Sequence, residues 1–257
     1  MMKAIAIIPA RLAASRFPNK PMARIHGMPM VGHCYHRAKL ATGIHSAYVA
    51  TCDEEIAAYL RSIGGEAIMT ADTHRRATTR TAEAIEHVEA RTGEKADIVV
   101  MVQGDEPLIL PETIGETLKH FNDPEVEIVN IMSRIRTLEQ FVDKNNVKVV
   151  VNHRGDALYF SREPIPSPWK GIEGVPMYLQ TGIIAFRRDT LERFNQQTET
   201  RLEQIESVDM NRVIESGGRI RMVATDAVTF GVDTPNELRA AEKLIAQDPT
   251  LARYLKI

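Results

Sequence analysis

Residues 3–21 read KAIAIIPARLAASRFPNKP, and this stretch sets the fold class. Lys3 to Ile8 is a largely apolar run, which is typical of a strand buried on both faces of a parallel sheet. Pro9 ends the run, and a loop of small residues, prolines and cations follows. Open α/β sheets bind their ligands at the carboxyl ends of the strands. The stretch therefore predicts an α/β protein with a ligand site after its first strand.

Short β-branched runs alternate with segments of helical spacing over most of the chain, a pattern typical of βαβ units. The further strands predicted by this pattern are Ala47 to Ala50 and Asp97 to Val102. The predicted helices are Pro29 to Leu40, Glu54 to Ile63, Pro111 to Phe121, and one that begins with the capping box Thr234-Pro235-Asn236-Glu237. We therefore expect a Rossmann-like, mixed but mostly parallel sheet flanked by helices.

The middle of the chain has a different pattern, with strand-like runs separated by turn residues. These runs are Glu127 to Met132, Val147 to Val151, Ala157 to Phe160 and Leu179 to Phe186. The proline-rich segment 164–168 fits neither a helix nor a central strand. We interpret 127–190 as a small antiparallel lobe, or dimerisation module, inserted in a single domain that spans 1–257.

The composition excludes several classes of protein. The chain has 257 residues, of which 44% are hydrophobic and 26% charged, and a formal net charge of −2. These values argue against disorder, and the charge balance gives no general attraction to nucleic acid or to a membrane surface. Cys34 and Cys52 form no disulfide framework, and the N-terminal apolar run is too short for a signal or a membrane span. We expect a cytoplasmic protein.

The loop after the first strand carries three cations, Arg11, Arg16 and Lys20, within ten residues. Its small residues allow backbone N–H groups to approach an anion, while the cations neutralise a polyphosphate. The loop is neither a Walker A motif nor a dinucleotide-binding glycine motif. A solvated basic loop is the alternative. Its position after the strand, and the prolines on either side of Lys20, favour a nucleoside triphosphate.

Two carboxylates from distant parts of the chain complete the predicted site. Asp105 follows the strongest predicted strand within Gln103-Gly104-Asp105-Glu106-Pro107, and Asp233 directly precedes the last helix. Mg²⁺ binds in proteins through one or two carboxylates together with substrate phosphates. Helix capping is the alternative role for Asp233, although Thr234 already supplies a cap. The pattern favours a magnesium–nucleotide site.

Taken in order, these segments resemble the CMP-Kdo synthetases, the 3-deoxy-manno-octulosonate (Kdo) cytidylyltransferases. The resemblance is carried by the loop 9–21, the segment 103–107, Ala157-Leu158-Tyr159-Phe160-Ser161-Arg162 with Pro164-Ile165-Pro166, and Gly231-Val232-Asp233-Thr234-Pro235. It implies a nucleotidyltransferase fold, a homodimer, dependence on Mg²⁺, and transfer of CMP from CTP to a 2-keto sugar acid with release of pyrophosphate.

Candidate site residues follow from these segments and from the residues beside them. For catalysis they are Lys20, Asp105 and Asp233, of which Asp105 and Asp233 would hold the metal. The candidate nucleotide-binding residues are Pro9, Ala10, Arg11, Arg16, Lys20, His74, Thr78, Arg80, Gln103 and Gly104. The candidate acceptor-binding residues are Arg75, Arg76, Gln103, Tyr159, Arg162, Gln180 and Thr181.

The chain departs from the family pattern on the acceptor side. Residues 74–80 read HRRATTR where the family usually has His-Pro-Ser-Gly-Thr-Asp-Arg, so a loop facing the substrates gains Arg75 and Arg76 and loses a carboxylate. Gln180 stands where the family usually has a histidine. Kdo-like acids remain the default acceptor class, but these changes favour an acceptor other than Kdo in its usual binding mode.

Three alternatives stay open at this stage. The acceptor could be a smaller, more anionic acid such as a phosphonate, because two added guanidiniums suit a dianion. The chain could also be a non-catalytic, nucleotide-binding member of the family. Finally, Arg75 and Arg76 could point to solvent or to a dimer partner, which would leave the usual acceptor unchanged.

Overall fold

A computed structural model describes residues 2–13, 17–171, 173–227 and 231–255, and its core is one mixed β-sheet. The strands are β1 Ala4–Pro9, β2 Arg24–Ile25, β3 Met28–Pro29, β4 Ile44–Thr51, β5 Ala67–Met69, β6 Ile98–Val102, β7 Ile128–Arg134, β8 Lys148–Val151, β9 Ala157–Ser161, β10 Tyr178–Arg187 and β11 Arg221–Thr225. Across the main sheet they run in the order β11, β7, β10, β6, β1, β4, β5.

The helices follow the strands as βαβ connections in the first half of the chain. They are α1 Met30–Lys39, α2 Glu54–Ser62, α3 Ala77–Thr92, α4 Pro111–Lys119, α5 Leu138–Val142, α6 Arg188–Gln196, α7 Arg201–Glu206, α8 Met210–Glu215 and α9 Pro235–Ile245. Short 3-10 turns occupy Lys20–Met22, His120–Asn122 and Pro249–Arg253. Within the described ranges, no helix combines the length and the apolar character needed to cross a bilayer.

The first strand lies in the middle of the sheet because both of its faces are buried. Ala4, Ala6 and Ile8 pack into a cluster beneath α1, α2 and α4, whereas Ile5 and Ile7 pack on the opposite face beneath α3 and α6. β1 pairs in parallel with β4 and with β6. The continuous apolar run therefore reflects burial on two sides, and the α/β fold class predicted from it is confirmed.

The strands predicted between residues 127 and 190 are present as β7 to β10, and all four belong to the nine-stranded main sheet. β10 pairs antiparallel with β6 on one side and with β7 on the other. β8 pairs with the start of β10 and with β9, so this hairpin extends the sheet on one side. β7 and β10 thus lie inside the main sheet, and β10 joins the β8–β9 hairpin to it.

The helix that follows residues 74–76, α3, was not predicted. The sequence analysis treats residues 74–80 as a loop, but α3 begins at Ala77, so Thr78, Thr79 and Arg80 lie in its first turn. The helix buries small side chains such as Ala82 and Ala84 beside Ile85. Small and threonine-rich residues give a weak helical pattern in the sequence, which explains why the loop interpretation was wrong from Ala77 onward.

A third apolar cluster holds the C-terminal part of the chain against the start of the fold. In it Val232 and Ile245 pack with Ile25 and Met30. The predicted cap of α9 is confirmed, because the Thr234 hydroxyl accepts a hydrogen bond from the Glu237 backbone N–H. This packing carries residue 233 to the carboxyl ends of β1 and β6.

Candidate active site

Lys20 lies between the two predicted carboxylates. Its Nζ is 2.8 Å from Asp105 Oδ2 and 2.8 Å from Asp233 Oδ1. Lys20 begins the 3-10 turn that follows the β1 loop, Asp105 follows β6, and Asp233 precedes α9. Because β1 and β6 are parallel neighbours, their carboxyl ends lie side by side. The fold therefore brings together three groups that are far apart in the sequence.

The electrostatics of this trio favour a charged lysine. Burial lowers the pKa of Lys20, but the negative charges of Asp105 and Asp233 and their hydrogen bonds outweigh burial and raise the pKa above its ordinary value.

Asn19, just before Lys20, has a φ of 58°, a left-handed conformation that asparagine tolerates better than most residues. The backbone turn that presents the ammonium group is therefore compatible with asparagine at this position.

A cavity of about 340 Å³ opens beside Lys20 at the carboxyl end of β1. The predicted nucleotide-binding residues that line it are Pro9, Ala10, Arg11, Lys20, His74, Arg80, Gln103 and Gly104. Thr78 does not line it: its side chain is buried and donates a hydrogen bond to the Asp209 carboxylate. Arg16 lies outside the described residues. The cavity is rich in cations and can hold a polyphosphate.

Arg80 presents a buried guanidinium to this cavity. The residue is 3% exposed, and its Nη1 donates to the Thr70 hydroxyl. Its Nη2 is buried and has no hydrogen-bond partner in the described part of the chain. A buried cationic donor without a partner is costly, so an anion at this wall would satisfy it. This observation marks the cavity as an anion site independently of the loop motif.

The segment before α3 is held in place by its own side chains. Arg11 Nη1 donates to the His74 carbonyl oxygen at 3.2 Å, and His74 Nδ1 is 3.0 Å from the Thr79 hydroxyl. The other ring nitrogen of His74 contacts the Glu83 carboxylate. Burial opposes the charge of Glu83, but its hydrogen bonds with His74 and with the Ala71 N–H, together with the charges of His74 and His87, outweigh burial and lower the pKa of the carboxyl. These contacts fix the backbone directly before Arg75.

A second, larger cavity of about 650 Å³ opens on the other side of Asp105. The predicted acceptor-binding residues that line it are Arg75, Arg76, Gln103, Arg162, Gln180 and Thr181. Tyr159 does not line it, because its hydroxyl donates to Glu206 Oε1 at 3.0 Å. The two cavities share one wall, formed by Arg75, Arg76, Ala77, Gln103, Asp105 and Asp233.

The far wall of the second cavity is shaped by an irregularity in β10. The pairing register between β10 and β7 shifts between Gln180 and Ile184. Asn130 on β7 compensates, because its Nδ2 donates to the carbonyls of Thr181 and Ile183 while its Oδ1 accepts from Gln180 Nε2 at 2.8 Å. The Thr181 hydroxyl donates to the Ile131 carbonyl. Gln180 and Thr181 are therefore oriented by β7.

Glu106 was not among the predicted site residues, although it directly follows Asp105 at the same strand end. It lines the second cavity, and its Oε1 accepts a hydrogen bond from the Gly182 N–H at 2.5 Å. Oε2 is buried and has no partner among the described residues. Burial and the neighbouring Asp105 raise the pKa of Glu106 to about 8. A Cβ at Gly182 would lie 2.6 Å from Glu106 Oε1, so this close approach requires glycine.

The described residues contain no group of three or more His, Cys, Asp or Glu side chains arranged to hold a metal ion. Asp105 and Asp233 are the two carboxylates on the shared wall, and both reach one cation, the Lys20 ammonium. Any divalent cation at this wall would therefore have two protein carboxylates and would need further oxygen ligands from substrate or water.

Comparison with known proteins agrees with this geometry. Residues 5–220 match the family model described as cytidylyltransferase. The 3-deoxy-manno-octulosonate cytidylyltransferase of Geobacter metallireducens (strain ATCC 53774 / DSM 7210 / GS-15) is 42% identical over 255 residues, covering 95% of this chain and 98% of that protein. The enzyme of the same name from Escherichia coli is 39% identical, covering 96% of this chain and 98% of that protein.

A solved structure has the same fold. The structure of CMP:2-keto-3-deoxy-manno-octonic acid synthetase complexed with CTP superposes with a TM-score of 0.85 at 39% sequence identity, covering 95% of this chain and 99% of that one. The family match, the identity over nearly the whole length and the shared fold all point the same way. The chain belongs to the cytidylyltransferase family, among the 3-deoxy-manno-octulosonate cytidylyltransferases.

Proposed function

We propose that this protein transfers CMP from CTP to a Kdo-like 2-keto sugar acid and releases pyrophosphate. In this reaction an acceptor hydroxyl oxygen forms a bond to the α-phosphorus of CTP. The bond from that phosphorus to the pyrophosphate oxygen breaks, and the hydroxyl proton passes to solvent. The observation that carries the proposal is the wall that joins two cavities, because Asp105, Asp233 and Gln103 face both.

The smaller cavity suits the triphosphate. Arg11, Lys20 and Arg80 line it, and the buried Nη2 of Arg80 has no partner within the described residues. Catalysis of phosphoryl and nucleotidyl transfer depends mainly on positioning and on neutralising charge. We assign Lys20 to the phosphates near the reacting bond, because two carboxylates keep its ammonium charged and oriented. Gly104 leaves room beside Pro9, where a Cβ would lie 2.9 Å from the Pro9 carbonyl oxygen.

The carboxylates fit Mg²⁺. Their oxygens both lie 2.8 Å from one cation, the Lys20 ammonium, so Asp105 and Asp233 are close enough to share a single positive centre. Carboxylate oxygens are the ligands that Mg²⁺ prefers. Bound there, the ion would neutralise phosphate charge and acidify the acceptor hydroxyl. Asp105 and Asp233 would hold it, and Lys20 would turn to the phosphates.

The larger cavity suits a polar, anionic acceptor. Its polar lining includes Gln103, Gln180 and Thr181 beside the guanidiniums of Arg75 and Arg76. A sugar acid needs hydrogen-bond partners for its hydroxyl groups and a cation for its carboxylate. A smaller dianion such as a phosphonate is the second candidate, favoured by the presence of two adjacent guanidiniums on the shared wall.

Release of pyrophosphate from CTP, measured with a panel of acceptors, tests the proposal. The panel contains Kdo, its amino analogues, a small phosphonate and no acceptor. We expect release that depends on both CTP and a sugar acid, and a CMP-linked product of matching mass. If the phosphonate were turned over and the sugar acids were not, the acceptor would be a phosphonate and not a sugar acid. Binding of CTP without turnover of any acceptor would identify a non-catalytic family member.

Two further properties are part of the proposal by family resemblance. We place the enzyme in the cytoplasm, where CTP is available, and we expect it to be a homodimer. Sedimentation of the purified protein measures its mass directly, and a single species of twice the 28.8 kDa chain mass is the expected result.

A further inference from the structure

The position of the acceptor's carboxylate follows from the chemistry of the proposed reaction. In the ring form of a 2-keto sugar acid, the carbon that bears the attacking hydroxyl also bears the carboxylate. The attacking oxygen must reach the α-phosphorus at the wall shared by the two cavities. The carboxylate therefore lies at, or next to, the same wall, and its cation must be found there.

Arg162 faces the second cavity but its guanidinium is already engaged. Nε donates to the Glu206 carbonyl at 2.8 Å, Nη1 to the Lys144 carbonyl at 2.9 Å and Nη2 to the Ser207 carbonyl at 3.4 Å. All three nitrogens thus hold main-chain oxygens of two loops. Arg162 is also absent from the wall that the cavities share. Its contacts are those of a residue that positions the cavity wall.

Arg76 lies on the shared wall but is anchored to one side. Its Nη1 donates to the Ser207 hydroxyl at 3.1 Å, and its Nε lies 3.8 Å from Glu199 Oε1. These contacts draw the guanidinium toward the residues that flank α7 on either side. Lys20, which lines only the first cavity, is held by Asp105 and Asp233. Neither side chain is placed to form a two-point contact with a carboxylate.

Arg75 is different, because it lines both cavities and makes no hydrogen bond or ion pair within the described residues. Its backbone is fixed on both sides by the contacts of Arg11 with His74 and by the start of α3. Ala77, the first residue of that 16-residue helix, lines both cavities too, so the positive end of the helix dipole faces the same wall.

We propose that Arg75 binds the carboxylate of the acceptor, and that Arg162 only positions the cavity wall. This inference rests on the proposed function. A guanidinium presents two parallel N–H donors that match the two oxygens of a carboxylate, which orients the acceptor as well as holding it. The geminal hydroxyl is then directed at the α-phosphorus beside Asp105 and Asp233.

The test compares two acceptors on two enzymes. Kdo and its 1-carboxamide differ only in the charged group, and Arg75→Gln removes the guanidinium from an exposed side chain without disturbing the core. Losing a hydrogen bond to a charged group typically costs about 1.5–3 kcal/mol, which is about 10- to 100-fold in kcat/KM. We expect Arg75→Gln to lose this factor with Kdo and little with the carboxamide, while the KM for CTP stays unchanged.

Two control variants sharpen the result. Arg61→Gln, on α2 and outside both cavities, is expected to change nothing. Arg162→Gln is expected to lower kcat/KM for Kdo and for the carboxamide by the same factor. It would weaken the packing of the cavity wall, but it would remove no contact with the acceptor's charge.

The outcomes separate the possibilities. An equal loss of Arg75→Gln with both acceptors, or a raised KM for CTP, would assign Arg75 to the nucleotide and overturn the inference. If Arg75→Gln lost no activity with either acceptor, Arg75 would be a solvent-exposed side chain that does not bind the acceptor, and the inference would be overturned. If the wild-type enzyme releases no pyrophosphate with Kdo, the proposed function fails first, and that result is visible before any variant is made.

Discussion

At the residue scale, the site depends on the balance between one ammonium group and two carboxylates. The side chain of Lys20 is 13% exposed, and those of Asp105 and Asp233 are 29% and 32% exposed, so all three remain accessible to solvent. With no cation between them, the two carboxylates would repel each other at short range. The Lys20 ammonium thus offsets the repulsion between the two carboxylates, which is also the electrostatic role that we assign to Mg²⁺.

The first prediction concerns Asp105. Asp105→Asn keeps the shape of the side chain but removes one of the two charges that would hold the metal. Loss of transition-state charge stabilisation typically lowers kcat by about 10²-fold or more. We expect that loss in pyrophosphate release, a melting temperature close to that of the wild type, and loss of wild-type activity in EDTA that added Mg²⁺ restores. Asp72→Asn, an exposed substitution outside both cavities, is the control. Full activity of Asp105→Asn would remove this residue from the mechanism.

The second prediction concerns Lys20. Lys20→Ala leaves Asp105 and Asp233 without their shared cation and removes a charged donor from the triphosphate cavity. We expect the Kd for CTP to rise by about 10- to 100-fold, as for loss of a hydrogen bond to a charged group. Arg24→Ala is the matched control, because among the described residues Arg24 donates only to the Gly27 carbonyl of a nearby turn. An unchanged Kd for CTP in Lys20→Ala would show that the loop after β1 is a solvated basic loop that does not bind the triphosphate.

At the scale of elements, the acceptor cavity depends on how strands β7 and β10 meet. The shifted register of β10 frees carbonyl groups that would otherwise pair along the sheet. Asn130 is fully buried and serves them, since its Nδ2 donates to the carbonyls of Ile131, Thr181 and Ile183. One asparagine therefore stabilises the irregular strand and orients Gln180 at the cavity wall.

The third prediction follows from this arrangement. Asn130→Ala removes the side-chain donor from the carbonyls of Thr181 and Ile183 in a buried place, and each group left unsatisfied costs about 1–3 kcal/mol. We expect a lower free energy of unfolding in urea and a KM for the acceptor that rises more than the KM for CTP. Asn122→Ala, in an exposed 3-10 turn, is the control. Equal changes in both KM values would mean that the strand irregularity serves stability alone.

Much of this arrangement was predictable from the sequence where local signals are strong. β1 and β6 are continuous apolar runs, and polar residues directly after such strands meet at one sheet edge. That reasoning placed Asp105 beside the β1 loop, and the capping box placed Asp233. The local pattern could not show α3, because its apolar face is built from small residues.

The partners of long side chains were beyond prediction for a different reason. Arg162 binds the carbonyls of Lys144 and Glu206, and Tyr159 binds the Glu206 carboxylate, so both depend on loops far away in the chain. Whether a guanidinium is engaged or available is decided by such tertiary contacts, which no spacing rule encodes. The sequence could name the cations of the acceptor cavity, but it could not show that Arg75 is the one with no hydrogen bond or ion pair among the described residues.

At the scale of the whole molecule, the site depends on the docking of the C-terminal segment onto α1. Arg37 is fully buried, and its guanidinium contacts the Asp248 carboxylate at 2.6 Å and the Ile109 carbonyl at 3.1 Å. Arg37 Nε also lies 3.1 Å from the Tyr254 hydroxyl, which is 2.8 Å from His33 Nδ1. These polar contacts, with the third apolar cluster, hold the segment that carries Asp233.

The last prediction is a pH dependence of stability from His33. The imidazole is buried, with its Nε2 2.9 Å from the Ile25 carbonyl, so Nε2 carries the hydrogen and Nδ1 accepts from Tyr254. Burial lowers the pKa of His33 from 6.5 to about 4, and the charge of Arg37 adds to the effect. The unfolded chain then binds a proton more readily than the folded one, so the contribution to stability is complete above pH 6.5 and is lost as the pH falls toward 4.

Since one pKa unit corresponds to about 1.4 kcal/mol, the loss over this window is about 3 kcal/mol at most. Urea unfolding of the wild type and of His33→Gln is measured between pH 6.5 and pH 4. The difference between the two proteins isolates the contribution of His33 to the free energy of unfolding, because the carboxylates titrate alike in both. We expect the free energy of unfolding to fall more steeply with acidification in the wild type than in His33→Gln. His45→Gln, at an exposed position, should keep the wild-type slope. Parallel slopes for the wild type and His33→Gln would show that the C-terminal segment docks without requiring a neutral imidazole.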